Sequence, residues 1–166
     1  MLRSSSRRIA VGAAALTLAA VGSTATTAAA APASSAGSAV LPALVQLSVV
    51  DATHTLFKGV VLTDGHTVTT ASGGTHVCDG TIGGANPSRV PTPTAALDTA
   101  ARVTRSSWDG PWYASFSDYD VTTIAGETAG PGTYWNISVN GVSIPVGGCQ
   151  FRIRTGDKVV FALTSF

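Results

Sequence analysis

Three histidines, His54, His66 and His76, are the side chains able to move a proton near neutral pH, with the carboxylates of Asp109, Asp118, Asp120 and Glu127 as their possible companions. Ser107, Ser115, Ser117 and Ser143 are the hydroxyls within reach of a nucleophile reading, and none stands in a G-x-S-x-G elbow. A glycosidase needs two carboxyl groups across a cleft, yet Glu127 is the only glutamate and the aspartates fall where turns and strand edges explain them. Asp118 and Asp120 flank Tyr119 and so point to one side of a strand, but two carboxylates alone make a poor calcium site. His66, His76, Cys78, Asp79 and Cys149 offer metal-ligating atoms, without the second Cys or His at the two-to-four-residue spacing of a structural zinc site. Gly73-Gly74 and Gly83-Gly84 are turn glycines, because no lysine follows them in a phosphate-loop pattern. The inventory reads as a protein that is not an enzyme, with no metal and no cofactor.

The chain begins with an address. Arg3, Arg7 and Arg8 precede an apolar run from Ile9 to about Ala20, and alanines near Ala31 give a small-residue cleavage pattern. Residues 1–31 are expected to be a signal peptide, residues 32–42 a flexible linker, and residues 43–166 one domain. The apolar run is too short and too interrupted to span a membrane, and no membrane span is expected in the mature chain. The expected destination is extracellular, either the medium or the cell surface. Removing the leader's three arginines leaves seven basic against nine acidic residues, which speaks against a nucleic-acid partner. In an exported chain the two cysteines, Cys78 and Cys149, are expected to pair.

Period-two alternation over residues 44–50 and a β-branched run over residues 55–62 predict a hairpin, and residues 66–70 a short edge strand or its extension. Residues 72–91, rich in glycine, asparagine and proline, read as a long loop that Cys78 holds down. Thr92 followed by Pro93 is a helix start, and Ala96, Leu97, Ala100 and Ala101 share one face up to about Val103. Further strands are expected at residues 119–124, 134–139, 142–146 and 158–163, with Asn140-Gly141 as a tight turn. The fold class is therefore α+β, one helix covering a mixed sheet.

Tyr134-Trp135, Asn140-Gly141 and Gly156-Asp157 together resemble a domain-of-unknown-function family related to the C-terminal β domain of transcobalamin and intrinsic factor. Residues 75–80 (Thr-His-Val-Cys-Asp-Gly) before Thr92-Pro93-Thr94 look like its small exported actinobacterial members. The resemblance implies a ubiquitin-like β-grasp and transfers no ligand residue.

One stretch stands out as a candidate surface. Trp108, Trp112, Tyr113, Phe116, Tyr119, Tyr134 and Trp135 crowd a short span. Trp108, Trp112, Tyr113 and Tyr119 are expected to form a ligand platform for a small molecule, glycan or protein. The competing reading puts Phe116, Tyr119 and Trp135 in the core and lays Trp108 and Trp112 over the loop held by Cys78. The expected function is a secreted, non-catalytic binding or surface-interaction module. The alternatives are a cobalamin-like small-ligand binder and a secreted hydrolase. Ligand identity and oligomeric state are left open by the sequence.

Overall fold

The computed structural model describes residues 41–166. The expected signal peptide and residues 32–40 of the expected linker lie outside them. Two strands open the domain, β1 (Ala43–Val50) and β2 (Thr55–Thr63), paired antiparallel through the turn that Asp51 organises. β1 buries Ala43, Val45, Leu47 and Val49 on one face, the alternation that the sequence carries.

β3 (His66–Thr70) pairs antiparallel with β4 (Gly74–Cys78) in a separate two-stranded ribbon. The expected loop of residues 72–91 is thus part strand. Gly74, Thr75 and His76 carry little apolar bulk, so β4 has no pattern of its own and forms because β3 lies beside it. The remainder of that segment is a short 3-10 turn (Ile82–Gly84) and irregular chain ending at Pro91.

α1 (Pro93–Thr104) starts as predicted, with the Thr92 hydroxyl accepting from the Ala95 amide and Pro93 at its first position. It ends where Arg105 turns left-handed. Its face of Ala96, Leu97, Ala100 and Ala101 is buried against β1, β2 and β3.

Short strands follow: β5 (Trp108–Asp109), β6 (Trp112–Tyr113), β7 (Asp118–Tyr119), β8 (Thr123–Ile124) and β9 (Glu127–Thr128). The single strand expected over residues 119–124 is split. β7 pairs with β6, and β8 lies between β5 and β9. Between them the Asp120 and Thr122 amides bond to Pro111 O and Asp109 O.

β10 (Thr133–Val139), β11 (Val142–Ser143) and β12 (Lys158–Ser165) complete a five-stranded sheet in the order β11-β10-β12-β1-β2. β12 runs parallel to β1 and antiparallel to β10, so the sheet is mixed. β11 is shorter than the expected residues 142–146, in keeping with Pro145, which has no amide for a ladder. Val159 and Phe161 are fully buried beside Leu47 and Trp135. Burial of each such large side chain is worth about 2 kcal/mol.

Cys78 and Cys149 are bonded, across 71 residues of chain. Their sulfurs are therefore not free to hold a metal. The closure restricts the unfolded chain by about 4 kcal/mol in the chain-entropy account. The molecule is mixed α+β, mostly sheet, with one helix and one disulfide among the described residues.

Candidate functional site

The six residues that carry the family resemblance have architectural work. Asn140 and Gly141 both take positive φ, 54° and 83°, as a two-residue hairpin turn between β10 and β11 demands. The Asn140 amide donates to Asp157 Oδ1 at 2.9 Å and its Oδ1 accepts from the Lys158 amide at 2.9 Å. Asp157 Oδ2 accepts in turn from the Arg154 amide at 2.7 Å, next to Gly156 at φ 95°. The turn is thereby tied to the start of β12. Trp135 is buried with its indole N–H donating to Thr122 O, while Tyr134 lies half-exposed, stacked on Phe166.

The four aromatic side chains expected as a platform do not form one surface. Trp108 is buried and lines none of the hollow that Tyr113 borders, which corrects that expectation for it; Tyr119 is buried too, but part of it borders that hollow. Trp108 lies beside α1 and donates to Asp98 Oδ1, and the Tyr119 hydroxyl reaches the carbonyls of Val68 and Gly74 at 2.9 Å. Trp112 is half-buried, stacked on His76 at 4.0 Å and meeting Tyr119 edge-on at 4.9 Å. Tyr113 is exposed. So is Phe116, at 72%, which corrects the reading that put it in the core. The physical reason is the turn after β6, which swings residues 114–117 outward; Ser117 there has positive φ.

Tyr113 and Phe116 face a hollow of about 770 Å³, within the size range of small-molecule sites. Its other walls are Ser115, Asp118, Tyr119, Asp120, residues 144–147 and Gln150. A smaller recess of about 210 Å³ shares Asp118, Asp120, Ile144 and Gly147 and continues toward Tyr134. The rings of Tyr113 and Phe116 stand 6.5 Å apart at 69°, making a corner.

From the sequence Asp118 reads as an aspartate of a turn or strand edge, a poor partner for catalysis and half of a weak calcium pair. Here it is buried, 5% exposed, and its Oδ1 accepts from the Tyr119 amide at 2.8 Å and the Cys149 amide at 3.2 Å. Burial outweighs these N–H groups and pushes its carboxyl up to about 6. Oδ2 lies toward Gly147, where any Cβ would collide with it. Gly148 is similarly packed against Thr94, and its carbonyl accepts from the Thr94 amide. The disulfide and the foot of α1 thus fix the wall opposite the aromatic corner. Sequence reading missed Gly147 and Gln150, and the pair Gly147-Gly148 beside Cys149 was the available signal.

The histidines lie elsewhere. His66 bonds Asp98 Oδ2 at 2.9 Å and sits near Asp64 O, and the bond to Asp98 raises its pKa against the opposing effect of burial. Burial acts to raise Asp98, but the His66 bond, the Arg102 charge and the Trp108 N–H hold it below the usual carboxylate range. His76 bonds Gly73 O beneath Trp112, and His54 caps the exposed Asp51 turn. None lines the hollow. Among the described residues no three metal-ligating side chains converge, and no helix is long and apolar enough to cross a membrane.

Comparison with known proteins agrees with the resemblance read from the motifs. Residues 110–165 match the family model described as "Domain of unknown function (DUF4430)". Every residue named in the hollow falls inside that stretch. Among solved structures the chain is similar to haptocorrin, in its crystal structure in complex with Cbi, with a TM-score of 0.52 and 15% identity. The likeness covers 75% of this chain and 25% of the haptocorrin chain, so this chain spans about a quarter of that protein. At that identity the fold is what is shared. No curated protein matches the chain.

Proposed function

We propose that this protein is an exported binding module, without catalytic chemistry of its own, that receives a small ligand in the hollow between the Tyr113–Phe116 corner and residues 144–150. The observation that carries the reading is Phe116: a large ring held in solvent at the mouth of a hollow whose back wall is a buried carboxyl. A sheet order with parallel β1 and β12 at its centre and a covering helix after the first hairpin supports the β-grasp. Export is supported by the leader's arginine and alanine pattern and by the disulfide. A cobalamin-like ligand is the second reading, favoured by the likeness to haptocorrin solved with Cbi.

Fluorescence titration of the secreted protein with Cbi, oligosaccharides and small aromatic amines tests the site, paired with the same titrations of Phe116→Ala. The expected result is saturable binding of at least one compound, weakened at least about fivefold in the variant, since an exposed aromatic contact is worth about 1 kcal/mol. Binding untouched by the substitution would remove the hollow as the site.

A further inference from the structure

We propose that the hollow takes an organic cation, a primary or quaternary ammonium held by Asp118 and Asp120 against the rings of Tyr113 and Phe116. This rests on the binding reading and names its ligand chemistry. Among the described residues no side chain donates to Asp118 although it is 5% exposed; Oδ1 takes the Tyr119 and Cys149 amides, and the Gly148 amide also acts on the carboxyl. Oδ2 is not sealed from the hollow, and a carboxylate held by backbone amides alone keeps lone pairs for a ligand's N–H. Oδ2 fills the space where a Cβ on residue 147 would stand, so the glycine is what lets the carboxyl reach this wall of the hollow.

The rest of the lining agrees in sign. No Lys, Arg or His lines the hollow, and the Gln150 amide already donates to Phe116 O at 2.7 Å. Donors for an anion are therefore scarce. Tyr113 and Phe116, an edge-on pair at 69° and 6.5 Å, are exposed beside the hollow and offer a ring face to a cationic head lodged against them. An ammonium answers all three demands at once: it donates to Oδ2, neutralises the carboxylates, and lies against the rings.

Proton linkage gives the cation a signature that a neutral ligand lacks. The titratable residues that share the hollow with Asp118 are Asp120 on its own segment, Tyr113, and Tyr119, whose hydroxyl is turned away to Val68 O and Gly74 O; the opposite wall, Gly147 to Gln150 with Thr94 behind it, carries no charge. An ammonium prefers ionised Asp118, so its affinity should fall about tenfold per pH unit below about pH 6 and level off above it.

The test is isothermal titration with benzylamine and choline, set against benzyl alcohol and benzoate. Benzylamine and choline should bind, the alcohol and the acid at least about tenfold more weakly, and Asp118→Asn should weaken benzylamine by about tenfold or more. Asp120→Asn, at an exposed position, should cost about threefold and keeps the test alive where Asp118→Asn fails to fold. Benzyl alcohol binding as tightly as benzylamine, with Phe116→Ala weakening both, overturns the cation and leaves the hollow standing as a site. Amines that bind with equal affinity to Asp118→Asn, Asp120→Asn and Phe116→Ala overturn both the cation and the hollow. No amine bound at about 10 mM also overturns the cation, and the hollow is then decided by the Cbi and oligosaccharide titrations.

Discussion

The Asp118 carboxyl, pushed up to about 6 by burial, holds its proton more firmly in the folded than in the unfolded chain. Its ionised form therefore costs stability above about pH 6, a cost of about 2 to 3 kcal/mol that is relieved as pH falls toward 4. Asp118→Asn keeps an oxygen for the Tyr119 and Cys149 amides without the charge. It should raise the unfolding free energy by about 2 to 3 kcal/mol at about pH 7.5 and by only about 1 kcal/mol at about pH 4.5, measured by urea unfolding. Equal destabilisation at both pH values would refute the assignment. Phe116 and Trp112 separate in the same kind of experiment. Phe116→Ala should melt within about 2 °C of the parent, because little buried area is lost, whereas Trp112→Ala removes the stack on His76 and should cost about 2 kcal/mol, or about 8 °C. The sequence located this aromatic stretch but did not sort its rings. Burial of Trp108 and exposure of Phe116 depend on where the turn after β6 points, and no local pattern encodes that.

Among the elements, those with local signals were legible. Thr92-Pro93 starts α1, Asn140-Gly141 turns β10 into β11, and alternation marks β1. β4 and the β7/β8 break were not, because each exists through a partner distant in sequence or through loop amides bonded to Pro111 and Asp109. Asn140→Ala tests the turn: it loses both side-chain bonds to the start of β12 and strains a positive φ, so about 1 to 3 kcal/mol should be lost. Asn140→Gly relieves the strain and should recover part of that, an order that thermal melting reads directly. Gly147 and Gly148 are held by Cys149, so the Cys78–Cys149 bond also shapes the hollow. Reduction should weaken ligand binding before it unfolds the sheet, and ligand binding that survives reduction intact would contradict this coupling.

For the whole molecule, the ionisable groups act together. His66, whose pKa is raised, contributes stability that is complete below about 6.5 and is lost as pH rises through its folded value. Asp98, held below its usual range, contributes stability that is lost as acid drops pH through its own folded value, under about 4. With Asp118 relieved over the same interval, the melting temperature should peak near about pH 5 and decline on both sides. What the sequence says of function is a lack of catalytic pattern, a resemblance and an aromatic stretch that supplies Tyr113 and Tyr119 to the hollow; its far wall, from residues 144–150, has no motif that joins it to them. That this hollow receives a ligand is the central claim, and amide chemical-shift mapping tests it most directly. On addition of benzylamine, with Cbi as a second probe, the protein should show perturbations concentrated at Tyr113, Phe116, Asp118, Gly147 and Gln150. Perturbations confined to the open face of the five-stranded sheet, with those five amides unmoved, would contradict it.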